Sequence, residues 1–131
     1  MTSRVTELKY RVPYADTDRM GVVYYANYLI YFERARNEIL REGGLTYDQL
    51  EKMGYMLPVT EAVCNYKNPA RYDDILTLRG YVEELRGARI KIACSVLRDN
   101  ELLASGYTVH ACVNSAGRPV RPPEVLLNLG L

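Results

Sequence analysis

Tyr28, Phe32, Ala35 and Ile39 recur at spacings of four, three and four residues, and this stripe constrains the fold more than any other stretch of the chain. It is the one long run with the period of a helix. Leu29, Arg36 and Leu40 flank it, while Glu33, Arg34, Asn37, Glu38 and Arg41 lie mostly opposite. Asn27 is a candidate N-cap, with a start one turn earlier as the alternative, and Gly43-Gly44 reads as the stop. The helix then has about 16 residues and a length of roughly 24 Å. A helix with a single apolar face has to bury that face against another element.

The remaining patterned segments are strands. Residues 5–12 carry Val5, Leu8, Tyr10 and Val12 as apolar positions, and residues 56–66 contain Pro58, which marks an edge or a strand start. Residues 74–85 alternate through Leu76, Leu78 and Val82, and residues 88–98 through Ile90, Ile92, Cys94 and Val96. In residues 102–113, Leu103, Tyr107, Val109, Ala111 and Val113 share one face, with Thr108, His110 and Cys112 on the other. A short helix over Tyr47–Met53, capped by Thr46 and stopped by Gly54, precedes the last four strands. Strand, long helix, short helix and a four-strand meander predict an α+β fold: a curled antiparallel sheet wrapped around one long central helix. Its edge strands must be blunted or paired. Pairing across a two-fold axis makes a C2 homodimer with one continuous sheet.

The sequence has 131 residues, 48% of them hydrophobic and 25% charged, which is the size and composition of one domain over residues 1–131. The net charge is +1 with both signs interspersed, so nucleic acid is not an expected partner. No apolar run approaches the roughly 20 residues of a membrane span, and MTSRVTELKY lacks the apolar centre of a signal peptide. A cytoplasmic location is expected. Cys64, Cys94 and Cys112 are odd in number, widely spaced and without a C-x-x-C pair; they read as reduced thiols, and no metal or cofactor is expected. His110 lies two residues before Cys112. A Cys–His nucleophile is the sharper interpretation of that pair, and a structural His beside a buried thiol the plainer one.

Residues 14–36 hold Asp16 and Asp18, then Gly21, then the start of the helix. Free N–H groups and the positive end of the helix dipole meet a carboxylate there. Such N–H groups bind an anion or a polarised carbonyl oxygen, and a nearby carboxylate attacks a carbonyl carbon or activates water. The spacing alone equally suits turn and capping chemistry. Calcium binding of the EF-hand kind is excluded, because the remaining loop ligands do not follow.

The run Asp16-Thr17-Asp18, Gly21 to Tyr28 and Phe32-Glu33-Arg34-Ala35-Arg36 resembles the signature of hotdog-fold acyl-CoA thioesterases. The type is the 4-hydroxybenzoyl-CoA thioesterase group, including the Tol–Pal-associated acyl-CoA thioesterases. The resemblance continues through Pro69-Ala70-Arg71-Tyr72-Asp73-Asp74 and Gly117 to Arg121, nearly the whole chain. It implies hydrolysis of acyl-CoA to acid and CoA, with acyl-carrier-protein thioesters as an alternative substrate. Asp18 is implied as nucleophile or general base, and the backbone N–H of Tyr25 as the group that polarises the thioester carbonyl. Position 25 is His in many relatives. The cleft is implied to lie between subunits of a homodimer, itself assembled into a tetramer.

Asp16 reads as a turn or cap carboxylate, Asn27 as a cap or a cleft-lining donor, and Arg36 as a structural ion pair, across the dimer or within the chain. Asp73 and Asp74 belong to a turn entering a strand. CoA carries phosphates, so basic residues are expected at the cleft mouth: Arg86 and Arg89 at a strand turn, Arg118 and Arg121 near the end of the chain. The rival activities are a non-catalytic acyl-CoA-binding protein and an acyl-thioester hydratase or dehydratase. The latter relies on a differently placed His.

Overall fold

A computed structural model describes residues 4–130. Strand β1 (Thr6–Arg11) is followed by a 3-10 turn at Tyr14–Asp16 and helix α1 (Asn27–Glu42). Helix α2 (Tyr47–Lys52), β2 (Tyr55–Met56), β3 (Val59–Tyr66), β4 (Ile75–Arg86), β5 (Arg89–Arg98) and β6 (Glu101–Ala111) come next. The chain closes with β7 (Val113–Asn114), helix α3 (Glu124–Leu127) and a 3-10 turn at Asn128–Gly130. Five strands form an antiparallel sheet in the order β1-β4-β5-β6-β3, and β2 pairs with β7. This is the expected α+β architecture, with the helix packed on one face of the sheet.

The apolar stripe makes the core. Tyr28, Tyr31, Phe32, Ala35, Ile39 and Leu40 of α1 are buried against Leu76, Leu78 and Val82 of β4 and Ile90, Ile92, Cys94 and Val96 of β5. The helix packs tightly over Gly80, where an added Cβ would stand 3.3 Å from Ala35 Cβ and from Ile39 Cδ1. Thr46 caps α2 through a capping box with Gln49, which stops that helix from fusing with α1.

Three local expectations need correcting. Helix α1 starts at Asn27 with Ala26 as its N-cap, and no side chain caps it; Asn27 Nδ2 donates instead to the Asp16 carbonyl at 2.9 Å. On β1 the inward residue is Thr6, which is buried while Val5 is exposed. Thr6 is tolerated inside because its hydroxyl donates to Glu42 at 2.7 Å.

On β6 the polar set faces the helix. Ile92 pairs with Thr108 and Ile90 with His110, and residues opposite each other in a ladder share a face. An irregularity between Val96 and Leu97 shifts the alternation, so Leu103 and Ala104 are both buried.

Candidate active site

The Asp16–Gly21 loop is folded back onto the start of α1. Thr17 bridges Val23, and Asp18 N donates to Val22 O at 2.9 Å. Gly21 N closes the turn on Asp18 O at 3.0 Å, with Gly21 at φ 77°, a left-handed value that glycine adopts without strain. Val22 bridges Arg71, and Val23 N donates to Ala70 O at 2.8 Å. The "PA-x-YDD" stretch is therefore the floor under the loop. Asp73 (φ 69°) and Asp74 hold that turn, Asp74 Oδ2 accepting from Arg71 N at 2.8 Å and from Arg98 Nη1 at 2.7 Å.

Asp18 is half-buried. One carboxylate oxygen, Oδ1, accepts from Met20 N at 2.8 Å, and no hydrogen bond from the described residues reaches Oδ2. Asp16 is held through Oδ2 and through its backbone. Its Oδ2 accepts the hydroxyls of both Tyr10 and Tyr31 at 2.7 Å. Its carbonyl accepts from Tyr24 N and Asn27 Nδ2, each at 2.9 Å. Asp16 thus ties strand, helix and loop together. Burial first, then the hydrogen bond to Asp16, pushes the Tyr10 phenol up to about 12 and moves Tyr31 the same way. Both phenols stay protonated donors near neutral pH.

At the start of α1 the N–H groups of Tyr25 and Ala26 have no acceptor among the described residues, which is the usual state of a first helical turn without a side-chain cap. Tyr25 is 62% exposed, its ring 4.7 Å from that of Tyr24 and edge-on to Tyr66. Tyr66, at the end of β3, donates its hydroxyl to Tyr25 O at 3.0 Å and fixes the first turn from the sheet side. Val23, Tyr25, Tyr28, Tyr66, Lys67, Asn68 and Pro69 line a groove of about 270 Å³ beside it.

Sequence reasoning missed Tyr10, Tyr31 and Tyr66. Tyr31 stands three residues after Tyr28 and four before Ala35, so the helical period marks it as inward. Tyr10 is marked only as an apolar position of the first strand, and nothing local marks Tyr66.

The four arginines lie elsewhere in the same chain. Arg86 is at the exposed β4–β5 turn, and Arg121 lines a concavity of about 520 Å³ with Leu85, Gly87, Ala88, Pro119, Val120 and Leu127. Cys112 N donates to Ala88 O and Val120 N to Cys112 O, which brings the end of the chain to that turn. Arg89 is paired with Glu84 at 2.8 Å, and Arg118 is exposed with its backbone N–H on Asn114 Oδ1.

His110 is 1% exposed and away from the loop. Its Nδ1 is 3.0 Å from Leu57 O and its Nε2 is 2.9 Å from Thr108 Oγ1. A carbonyl only accepts, so Nδ1 carries the proton and Thr108 donates to Nε2. Neither nitrogen is left for Cys112, and a Cys–His nucleophile is ruled out. The three cysteines are free thiols. Among the described residues, no group of His, Cys, Asp and Glu has the arrangement of metal ligands, and no helix is long and apolar enough to cross a membrane.

Burial lowers the His110 pKa, the nearby Arg36 charge lowers it further, and the Leu57 bond acts the other way. The unfolded chain binds a proton near the ordinary value of 6.5, so folding stability is full above that value. It falls as pH drops below it toward the lower folded value, by up to about 1.4 kcal/mol per pH unit. Urea midpoints from about pH 8 to pH 5 for the wild type and His110→Gln check this. Parallel curves across that window would contradict it.

A curled five-stranded antiparallel sheet on one long helix, with a carboxylate loop folded against the helix start, is a hotdog-fold scaffold of the thioester-processing kind. The chain belongs to the Thioesterase-like superfamily, whose sequence model matches residues 12–129. It is 38% identical over 116 residues to the acyl-CoA thioesterase YbgC of Haemophilus influenzae, covering 87% of this chain and 85% of that one. Among solved structures, a hypothetical protein from Aquifex aeolicus superposes with a TM-score of 0.91 at 32% identity, covering 96% of this chain and 99% of that one. The DHNA-CoA thioesterase of Staphylococcus aureus gives 0.81 at 32% identity, covering 92% and 81%.

Proposed function

We propose that this protein hydrolyses acyl-CoA thioesters to a carboxylic acid and CoA, with Asp18 as nucleophile or general base. The observation that carries the proposal is the pairing of two groups across one short loop. A carboxylate with a free oxygen lies on one side, and unpaired helix-start N–H groups on the other. The thioester carbonyl oxygen accepts from Tyr25 N–H, and the helix dipole favours the negative charge that grows on it. Asp18 takes a proton from the attacking water as the CoA thiolate leaves, or attacks the carbonyl carbon itself, expelling the thiolate and forming an acyl-Asp18 anhydride that water then hydrolyses to the acid and free Asp18. The backbone supplies the Tyr25 donor, so Tyr in place of His at this position is compatible with the reaction. Asn27 acts by holding the Asp16 carbonyl and lines the cleft.

The arginines require a second subunit. Asp18 sits by residues 70–71, before β4, whereas Arg86 and Arg121 lie at the far end of that twelve-residue strand, on the order of 35 Å of chain away. A two-fold dimer that sets one chain's helix start beside the partner's β4–β5 turn completes a CoA site, with dimers pairing into a tetramer. Arg86, Arg118 and Arg121 then meet the phosphates, and Arg89 does so once released by Glu84. The reading includes a cytoplasmic location. The tyrosine-lined groove suits aromatic and short aliphatic acyl groups alike, and an acyl-carrier-protein thioester presents the same arm.

Arg86→Ala and Arg121→Ala are each expected to raise KM for acyl-CoA about tenfold at unchanged kcat, the loss of one charge-assisted hydrogen bond. KM for an acyl-pantetheine thioester without the nucleotide should hardly move. Equal effects on both substrates would exclude a phosphate role. The activity itself is tested by thiol release from a panel of aromatic and aliphatic acyl-CoAs. Binding without turnover across the panel would leave only an acyl-CoA carrier.

A further inference from the structure

The Asp18 loop is anchored at both ends. At its start, Asp16 is bound to Tyr10, Tyr31, Tyr24 and Asn27. At its end, Val22 and Val23 rest on Arg71 and Ala70. Ala70 lies between β3 and β4 and is 0% exposed, so its two backbone groups need partners that neither strand's ladder supplies. Its carbonyl accepts from Val23 N at 2.8 Å. Its N–H donates to the hydroxyl of Tyr28 at 3.1 Å, a bond buried from water.

Tyr28 stands in the first turn of α1, three residues after Tyr25, and is itself buried. A single residue, Ala70, therefore joins the helix start to the end of the carboxylate loop as a strut. The flanks of its segment are held by main-chain bonds, Lys67 N and Asn68 N on Leu103 O and Asp73 N on Val12 O. Between them, Arg98 Nη1 donates to Pro69 O at 3.3 Å, and Tyr28 receives the Ala70 N–H. Edge contacts to Tyr31 at 5.7 Å and Tyr66 at 5.1 Å between ring centroids fix the Tyr28 ring. The hydroxyl that holds the strut is thus itself held from two sides.

We infer that Tyr28 is a positioning residue: through Ala70 it sets the spacing between Asp18 and the free N–H groups of Tyr25 and Ala26. The inference rests on the proposed hydrolysis, in which the carboxylate and those N–H groups act on one carbonyl and so must keep a fixed separation. The Tyr28 ring also walls the tyrosine-lined groove, and Tyr28→Phe leaves that wall in place. A hydroxyl that only satisfied the Ala70 N–H would matter to stability alone. One that fixes the separation matters to turnover when Asp18 is present, and not when its charge is gone.

Tyr28→Phe should lower kcat for acyl-CoA hydrolysis about tenfold and leave KM within about twofold, the scale of a small displacement of a catalytic group. In an Asp18→Asn background the same change should cost less than about twofold. Thr6→Val is the control. It removes another buried hydroxyl, bound to Glu42 at the far end of α1, and should lower stability without changing kcat. The inference is overturned by a folded Tyr28→Phe protein with wild-type kcat, by an equal loss in the Asp18→Asn background, or by a like loss of kcat in Thr6→Val. If wild type releases no thiol, the hydrolysis itself fails. In that case, or if Tyr28→Phe does not fold, amide exchange on the unaltered protein decides. The Ala70 and Val23 N–H groups should exchange as slowly as those of β4, and fast exchange at either one overturns the strut.

Discussion

Asp18→Asn is expected to lower kcat for acyl-CoA hydrolysis by roughly 10²- to 10⁴-fold, the range for removing a positioned acid–base or nucleophilic group. The structure makes this a clean substitution. Asp18 keeps its place through backbone bonds, N–H to Val22 O and C=O from Gly21 N. An Asn amide oxygen can still accept from Met20 N in place of Oδ1. What is lost is the negative charge and the carboxylate oxygen that no described residue engages. Thermal stability should therefore stay within about 0.5 kcal/mol of wild type, and KM should change little because the arginines proposed to hold CoA lie elsewhere. A folded Asp18→Asn protein with unaltered kcat would remove Asp18 from the mechanism.

The second large effect is expected at Asp16, and it is of a different kind. Asp16→Ala leaves the Tyr10 and Tyr31 hydroxyls without their shared acceptor. Hydrogen bonds to a charged group are worth about 1.5–3 kcal/mol each, so a loss of about 3 kcal/mol or more in unfolding free energy is expected. Activity should fall as well, by roughly tenfold or more, because the loop that aims Asp18 is anchored through this residue. Asp16→Asn separates charge from geometry. Both phenols donate to the same oxygen, Oδ2, and an amide oxygen can accept both. That variant should keep most of the stability and most of the rate. Urea denaturation and initial rates on the three proteins check the order wild type, Asp16→Asn, Asp16→Ala. Asp16→Ala as stable as wild type would show that the clamp carries no weight.

Much of this was legible in the residues. The stripe from Tyr28 to Ile39 defines the helix, and the alternations in residues 74–85 and 88–98 define the central strands, because core burial imposes both periods directly. The D-x-D loop before a helix start was visible as spacing. Two things were not.

The face of β6 that packs on the helix is polar, since Thr108 and His110 satisfy each other and Leu57 O, so hydrophobic alternation pointed to the wrong face. The clamp on Asp16 joins residues six and fifteen positions away through a fold that local pattern does not encode. The same holds for the arginines. Sequence order places Arg86 and Arg89 at a strand turn, and the resemblance implies a cleft between subunits, but the separation of that turn from Asp18 along β4 is visible only in the fold.

The account stands or falls on the reaction itself, and the most direct measurement is of its products. The purified protein is incubated with benzoyl-CoA, with hexanoyl-CoA and with 2-hexenoyl-CoA in heavy-oxygen water over many turnovers, and the products are weighed by mass spectrometry. The prediction is free CoA and an acid carrying one heavy oxygen, formed by wild type and nearly abolished in Asp18→Asn. A thioester recovered intact, either unchanged or with water added across its acyl chain, would contradict it.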